Sequence, residues 1–219
     1  TYGLPVRPIC PTPPRHSTTH PTHIHGNRAI FSDSLVIFAT NSYVEQAVLS
    51  SSSHQMWAIA FGSTLETRVR YTPSDVFETY PRPTPTGWLE QVGRVLEEER
   101  AEIMRRRCLG LTDLYNIVNE SHVVDSNDAD VARMRAIHVE LDEAVMDAYG
   151  WSDIPLDHGF HTYRQMQRWT VSPAARVEIL DRLLEENHRR AAGGAKRTPK
   201  PKTKGRRGKN VSDEQGTLL

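Results

Sequence analysis

The sequence predicts an α+β protein: a small β-containing portion, then a mostly α-helical C-terminal region, between termini that are disordered. Three observations predict it. Apolar residues recur at helical spacing through much of 86–195, strand-like runs are confined to 30–85, and 1–29 and 196–219 are too rich in proline, glycine or charge to hold any period. With 219 residues and 24.8 kDa the chain has room for one or two domains and a sizeable core.

In residues 1–29, Pro5, Pro8, Pro11, Pro13, Pro14 and Pro21 interrupt every repeat, so the segment reads as irregular. Ala29–Phe31 and Leu35–Thr40 are β-rich, and Ser32-Asp33-Ser34 between them suggests a hairpin or a bend. From Tyr43 the period becomes helical. Val44, Ala47, Val48, Met56, Trp57, Ile59, Ala60 and Phe61 share one face, weakened at its centre by Ser50–Ser53, and Gly62 is the stop. Leu65–Tyr71 alternates as a strand, with Leu65, Thr67, Val69 and Tyr71 on one side and Glu66, Arg68 and Arg70 on the other.

Pro81, Pro83 and Pro85 form an extended connector, which sets a boundary between 30–85 and 86–195. Beyond it, Trp88–Arg107 reads as a helix with Arg105–Arg107 suited to its C-terminal dipole. Leu111–Val118 is a short helix. Asp128–Tyr149 has Val131, Met134, Ile137, Leu141, Val145 and Ala148 on one stripe, with Gly150 at its end. The last helix opens at Ser172-Pro173, buries Val177, Leu180, Leu183 and Leu184, and ends near Gly193-Gly194.

Charge divides the chain. All five lysines, Lys196, Lys200, Lys202, Lys204 and Lys209, fall in the tail beside Arg197, Arg206 and Arg207, whereas residues 1–195 hold 19 arginines against 25 acids. The body is therefore no cationic nucleic-acid module by bulk charge, but the tail has that character. Eight cations meeting duplex phosphates would give a log–log salt slope of roughly −7 and no sequence information. No apolar run reaches spanning length. Cys10 and Cys108 lie too far apart in sequence to form a disulfide framework or a zinc motif, which points to a reducing, cytoplasmic setting. Thr1 in place of Met, with no basic-then-apolar leader, reads as a fragment and not a secreted precursor.

Local catalytic signatures are missing. The sequence has no glycine-rich phosphate or dinucleotide loop, no G-x-S-x-G, no H-E-x-x-H and no C-x-x-C. His16, His20, His23 and His25 have the spacing of a transition-metal site, but a proline-broken stretch gives them no scaffold and the polar reading is preferred. His158 and His161, with Asp153 and Asp157, form either a metal corner or loop histidines that pack a turn, and the latter is preferred. Among the tryptophans, Trp57 and Trp88 occupy apolar helical positions and read as core. Trp151 and Trp169 flank a loop, where core packing and base stacking are equally open. Arg68 and Arg70 project together if their strand is regular, about 7 Å apart, a match for phosphate oxygens or a guanine edge. A solvated face on which Glu66 pairs with Arg68 is the preferred reading of these residues alone.

Several separated runs then acquire meaning together. Val48-Leu49-Ser50-Ser51-Ser52-Ser53-His54-Gln55-Met56-Trp57 leads into Gly62-Ser63-Thr64-Leu65, and Arg70-Tyr71-Thr72-Pro73-Ser74-Asp75-Val76-Phe77-Glu78-Thr79-Tyr80-Pro81-Arg82-Pro83 follows. Gly110-Leu111-Thr112-Asp113-Leu114-Tyr115-Asn116, Leu141-Asp142 before Ala144-Val145, Ala148-Tyr149-Gly150-Trp151, and Ile179–Leu184 before Asn187 come later in order. Over residues 31–190 this resembles the C-terminal region of adenine-specific DNA methyltransferases of the type IIG restriction–modification class and their BREX and DISARM phage-defence relatives. The resemblance implies a partial target-recognition region over 30–85, a helical C-terminal extension over 86–195 and a basic tail over 196–219. It implies duplex DNA as partner, together with a catalytic methyltransferase domain or other defence-system subunits. It raises Arg68 and Arg70 as DNA contacts and assigns Phe77–Pro81 to locking the strand end against the core. That family's Asn/Asp-Pro-Pro-Tyr and S-adenosylmethionine motifs do not occur in these 219 residues, so S-adenosylmethionine is expected of the full-length parent and no methyl transfer of this fragment. A frameshift or a divergent N-terminus would explain residues 1–29. The alternative reading is a non-catalytic helical interaction subunit of a restriction or defence complex, attracted to DNA by its tail. An independent metal hydrolase built on His158 and His161 is the third and weakest reading.

Overall fold

A computed structural model describes residues 36–38, 40–65, 68–163 and 166–194, and along 63–70 it describes the backbone alone. In chain order these residues form α1 (Tyr43–Ser50), α2 (Ser52–Phe61), β1 (Ser63–Leu65), β2 (Arg68–Arg70), α3 (Gly87–Arg107), α4 (Leu111–Val118), α5 (Ala129–Tyr149), β3 (Gly159–Tyr163), β4 (Met166–Thr170) and α6 (Pro173–Gly194). Helices dominate and the strands form two antiparallel hairpins, β1–β2 and β3–β4. The α+β expectation therefore holds. None of the described helices is long and apolar enough to cross a membrane.

Four consecutive serines explain the first departure from expectation. In place of one helix over 43–61, the chain turns at Ser51, whose backbone is extended. Its N–H closes α1 on Val48 O at 3.2 Å, and its Oγ accepts from His54 N at 3.3 Å to open α2. Serine hydroxyls compete for backbone groups in this way, which makes them poor helix interiors and good caps. Val36–Phe38 and Thr40 form no strand, and Ala29–Phe31 lies outside the described residues. Leu65–Tyr71 is not one strand either. The hairpin pairs Ser63 with Arg70, Thr64 with Val69 and Leu65 with Arg68, and Tyr71 falls beyond it.

The C-terminal helices begin and end where expected. Thr86 Oγ1 accepts from Leu89 N at 3.1 Å to start α3. Asp128 caps α5, accepting from Asp130 N and Val131 N at 3.1 Å. Gly150, at φ 75°, supplies the left-handed residue that terminates α5. Ser172 Oγ accepts from Ala175 N at 3.2 Å and Pro173 occupies the first helical position of α6.

One apolar core unites these elements. Ala47, Val48, Met56 and Trp57 pack with Leu89, Val92 and Leu96 of α3, with Ile137, Leu141 and Val145 of α5, and with Ile179 and Leu183 of α6. Each fully buried large apolar side chain contributes roughly 1.5–3 kcal/mol. The helix α1 crosses α3 so closely at Gly93 that any β-carbon there would overlap the Tyr43 carbonyl. The elements on either side of Pro85 thus share this core, and the connector is stitched to it. Asn187 Nδ2 donates to Thr79 O at 2.5 Å, Tyr149 Oη to Pro81 O at 2.9 Å and Arg190 Nη1 to Arg82 O at 2.8 Å.

Three further expectations are corrected. In α6 the buried line is Ala175, Ile179 and Leu183, while Val177 is 64% exposed and Leu184 36%. Both lines fit a helical period, and contact with α2 selects the first. Trp88 lies at the rim of α3, 38% exposed, and not in the core. Where a loop is expected beside Trp169, the chain forms the β3–β4 hairpin, whose mixed polar and aromatic residues include few β-branched ones and so carry a weak strand signal.

Candidate nucleic-acid interface

The β1–β2 hairpin is rooted in α2 on one side and in Tyr71 on the other. Gly62 N donates to Ala58 O at 2.9 Å and closes α2 immediately before Ser63. Tyr71 lies beside His54, with Oη 3.1 Å from Nε2, while Nδ1 is 3.1 Å from Leu49 O. Burial, opposed by the bond to Leu49 O and aided by the Arg82 charge, pulls the imidazole down to about 4, so the ring is neutral. A carbonyl can only accept. Nδ1 therefore carries the proton, Nε2 accepts, and the Tyr71 hydroxyl donates. Burial likewise pushes the Tyr71 phenol up to about 12. The Phe38 ring meets Tyr71 edge-on at 5.9 Å and Phe77 at 4.7 Å, closing the root from outside.

After Tyr71, residues 72–80 fold back as a turn against the core. Val76 and Tyr80 are buried, Trp57 Nε1 donates to Thr79 Oγ1 at 3.1 Å, and Tyr80 Oη lies 2.8 Å from Ser53 Oγ. Phe77 is covered by the Arg82 guanidinium, 3.9 Å from the ring centroid, and Arg82 Nε sits 3.7 Å from Glu45. The run Phe77–Pro81 is thereby fastened to α2 and α6.

Arg68 and Arg70 sit on β2 opposite Leu65 and Ser63. The other cations named from the sequence, Lys196, Arg197, Lys200, Lys202, Lys204, Arg206, Arg207 and Lys209, lie outside the described residues, as do Glu66 and the four N-terminal histidines. The helical body, by contrast, neutralises its arginines internally. On α3, Arg94 pairs with Glu90, Arg100 with Glu97, Arg105 with Glu102, Arg106 with Asp130, and Arg107 with Asp128. On α5 and α6, Arg133 pairs with Glu99, Arg182 with Asp153 and Glu178, and Arg189 and Arg190 with Glu186.

The sequence reasoning missed a buried polar framework. Asp142 on α5, 3% exposed, accepts from Ser52 N at 2.7 Å, Ser52 Oγ at 2.6 Å and His158 Nε2 at 2.9 Å. Its carboxylate sits at the positive end of α2 and ties the loop after α5 to the same point. Arg135, equally buried, donates to the carbonyls of Val118, Glu120 and Val123 and to Asp125. A signal was present: Arg135, His138 and Asp142 fall along the edge of the Val131–Val145 apolar stripe, where polar residues are expensive unless paired.

No group of three or more metal-ligating side chains occurs among the described residues. His158 belongs to the Asp142 framework, His161 Nε2 lies 3.0 Å from Asp157 O, and Asp153 is engaged by Arg182. Trp57 is core, Trp151 stacks on Tyr149 at 4.3 Å, and Trp169 packs on Phe160 at 5.3 Å. An open groove of about 710 Å³ runs between Trp88, Met146, Ile154, His158 and Trp169. Both described sheets are two-stranded and antiparallel.

Curated proteins contain no match to this chain. Among solved structures it is similar to one described as "Structure of Type IIL restriction-modification enzyme MmeI in complex with DNA has implications for engineering of new specificities", at 23% identity and a TM-score of 0.40. The match covers 68% of this chain and 16% of that one, so the chain spans a small part of that protein's length. Residues 14–84, which hold α1, α2 and the β1–β2 hairpin with Arg68 and Arg70, match the family model described as the MmeI target recognition domain.

Proposed function

We propose that this chain is the DNA-recognition and C-terminal part of a site-specific adenine-N6 DNA methyltransferase of the restriction–modification or phage-defence type. The observation that carries the reading is the family match over 14–84, within which a short hairpin is rooted on a rigid base. Its partners are duplex DNA and a catalytic domain that binds S-adenosylmethionine and receives the flipped adenine. Arg68 and Arg70 give register and base readout, and the eight tail cations give sequence-independent attraction.

Selection of bound duplexes from a random pool, with the 219-residue chain and with a chain lacking 196–219, tests this. A sequence preference that survives the deletion and relaxes in Arg68→Ala or Arg70→Ala supports it; each lost bidentate base contact costs about 1–3 kcal/mol of discrimination. The second reading, a helical interaction subunit whose tail alone meets DNA, draws on the carboxylate pairing of the body arginines and on exposed Val177. It gains if binding and preference vanish together with the tail.

A further inference from the structure

A single arginine stands apart from the pairing just described. Among the described side chains, Arg168 on β4 alone of the arginines has neither a hydrogen bond nor an ion pair. It has no ring contact either. In a body with more acids than bases, every other described guanidinium has found an acceptor. Arg168 is also half-buried, so part of its hydration shell is lost without replacement.

The hairpin that carries it is held unusually firmly. Register pairs Phe160 with Trp169 on one face and His161 with Arg168 on the other. Beneath the first face lies Arg135, its guanidinium 4.8 Å from the Phe160 centroid and 5.2 Å from that of Trp169. Its N–H groups are occupied by Val118 O at 2.8 Å, Val123 O at 2.8 Å and Asp125 Oδ1 at 2.6 Å. Trp169 N donates to Asn119 Oδ1 at 3.1 Å, which fixes β4 to the end of α4. On the second face His161 is tethered to the Asp157 carbonyl, and Arg168 beside it is left with free donors. A planar fork of donors on a rigid mount, without an internal acceptor, suits an external anion of fixed geometry.

We infer that the β3–β4 hairpin is a second nucleic-acid contact, with the Arg168 guanidinium seated on phosphodiester oxygens of duplex DNA. This rests on the DNA-recognition reading but concerns a site outside the 14–84 segment. The contact positions the duplex and reads no base.

The test uses the 219-residue chain and a labelled duplex pool of random sequence, with anisotropy followed from about 50 to about 200 mM salt. Arg168→Ala lowers affinity about tenfold, the effect of one charge-assisted contact, and makes the log–log salt slope shallower by about 0.9. Arg168→Lys keeps the slope, because the charge remains. Neither variant shifts the thermal midpoint, since no internal partner is lost. Arg133→Ala, whose parent guanidinium is paired with Glu99, serves as control and leaves the slope unchanged. An Arg168→Ala chain with parental affinity and slope overturns the inference while leaving DNA recognition standing. So does a loss of affinity with an unchanged slope. Absence of duplex binding by the parent chain brings down both.

Discussion

Asp142 is the residue on which the two halves of the fold depend together, and its removal yields the sharpest stability prediction. It projects from α5 into the turn between α1 and α2, where it accepts from both donors of Ser52 and from His158. Asp142→Ala leaves the Ser52 N–H, at the first position of α2, and a nearly buried imidazole without their acceptor. Breaking a buried pair from one side costs about 3–5 kcal/mol, because the abandoned partner stays desolvated. For a chain of this size each kcal/mol moves the thermal midpoint by roughly 2–4 °C, so a fall of about 10 °C is expected. Asp142→Asn keeps the shape and one accepting oxygen, and should lose about half as much. Far-ultraviolet circular dichroism during heating reads the midpoint. A double-mutant cycle with His158→Ala then isolates the pair, with a coupling of about 1.5–3 kcal/mol expected. If Asp142→Ala unfolds within about 0.5 kcal/mol of the parent, the carboxylate is not what joins α2 to α5.

Other perturbations test other parts. Gly93→Ala should destabilise by about 1–3 kcal/mol even though alanine is the better helix former, because the added methyl meets the Tyr43 backbone; a more stable variant in urea titration would contradict the close crossing of α1 and α3. His54 is neutral when folded, with a pKa of about 4 against 6.5 when unfolded, so its contribution is whole above about pH 6.5 and is lost as pH falls toward 4. The loss approaches about 3 kcal/mol. Urea unfolding in steps between about pH 7 and about pH 4 should show a flatter dependence in His54→Gln than in the parent, and equal dependences would refute the assignment. Arg135→Met should cost about 3–5 kcal/mol and speed amide exchange along 159–170, since three carbonyls and the Phe160–Trp169 pair lose their common support. Unchanged exchange there would show that the hairpin is rooted elsewhere.

What the sequence made legible follows from periodicity and caps. The helices over 87–107, 111–118 and 129–149 announce themselves because apolar spacing and end signals agree, as at Asp128 and Gly150. Where two signals competed, the local one misled. The apolar face over 43–61 is continuous in helical projection, yet serine chemistry at Ser51 breaks it. On α6 the burial of Leu183 was legible, but two apolar lines are equally periodic, and only packing against α2 chooses Ile179 over Val177 and Leu184. Asp142 and Arg135 act across long stretches of chain, Asp142 reaching Ser52 and Arg135 bridging α5 to the loop before it. Such contacts have no local pattern beyond a polar residue where an apolar one is expected.

On the proposed reading, the distribution of charge orders the steps by which DNA is captured. Carboxylate pairing leaves the helical body with little positive potential of its own, and exposed pairs of this kind add little stability either. Attraction at a distance must then come from the run 196–209. Where that run starts matters, because screened attraction fades over about 10 Å. The last turns of α6 lie against the connector: Asn187 reaches Thr79 O and Arg190 reaches Arg82 O, just past β2 and its root at Tyr71. Five residues separate Arg190 from Lys196, and α6 continues through four of them. The last turns of α6, which precede the cationic run in sequence, therefore lie beside the segment that matches the target recognition domain. On the proposed reading, a duplex drawn to the tail arrives next to β2, and short-range contacts from the hairpins decide whether it stays. Moving the basic run from the C-terminus to the chain's N-terminus should keep most of the salt slope and lower the association rate. An unchanged rate would mean that its point of departure is immaterial.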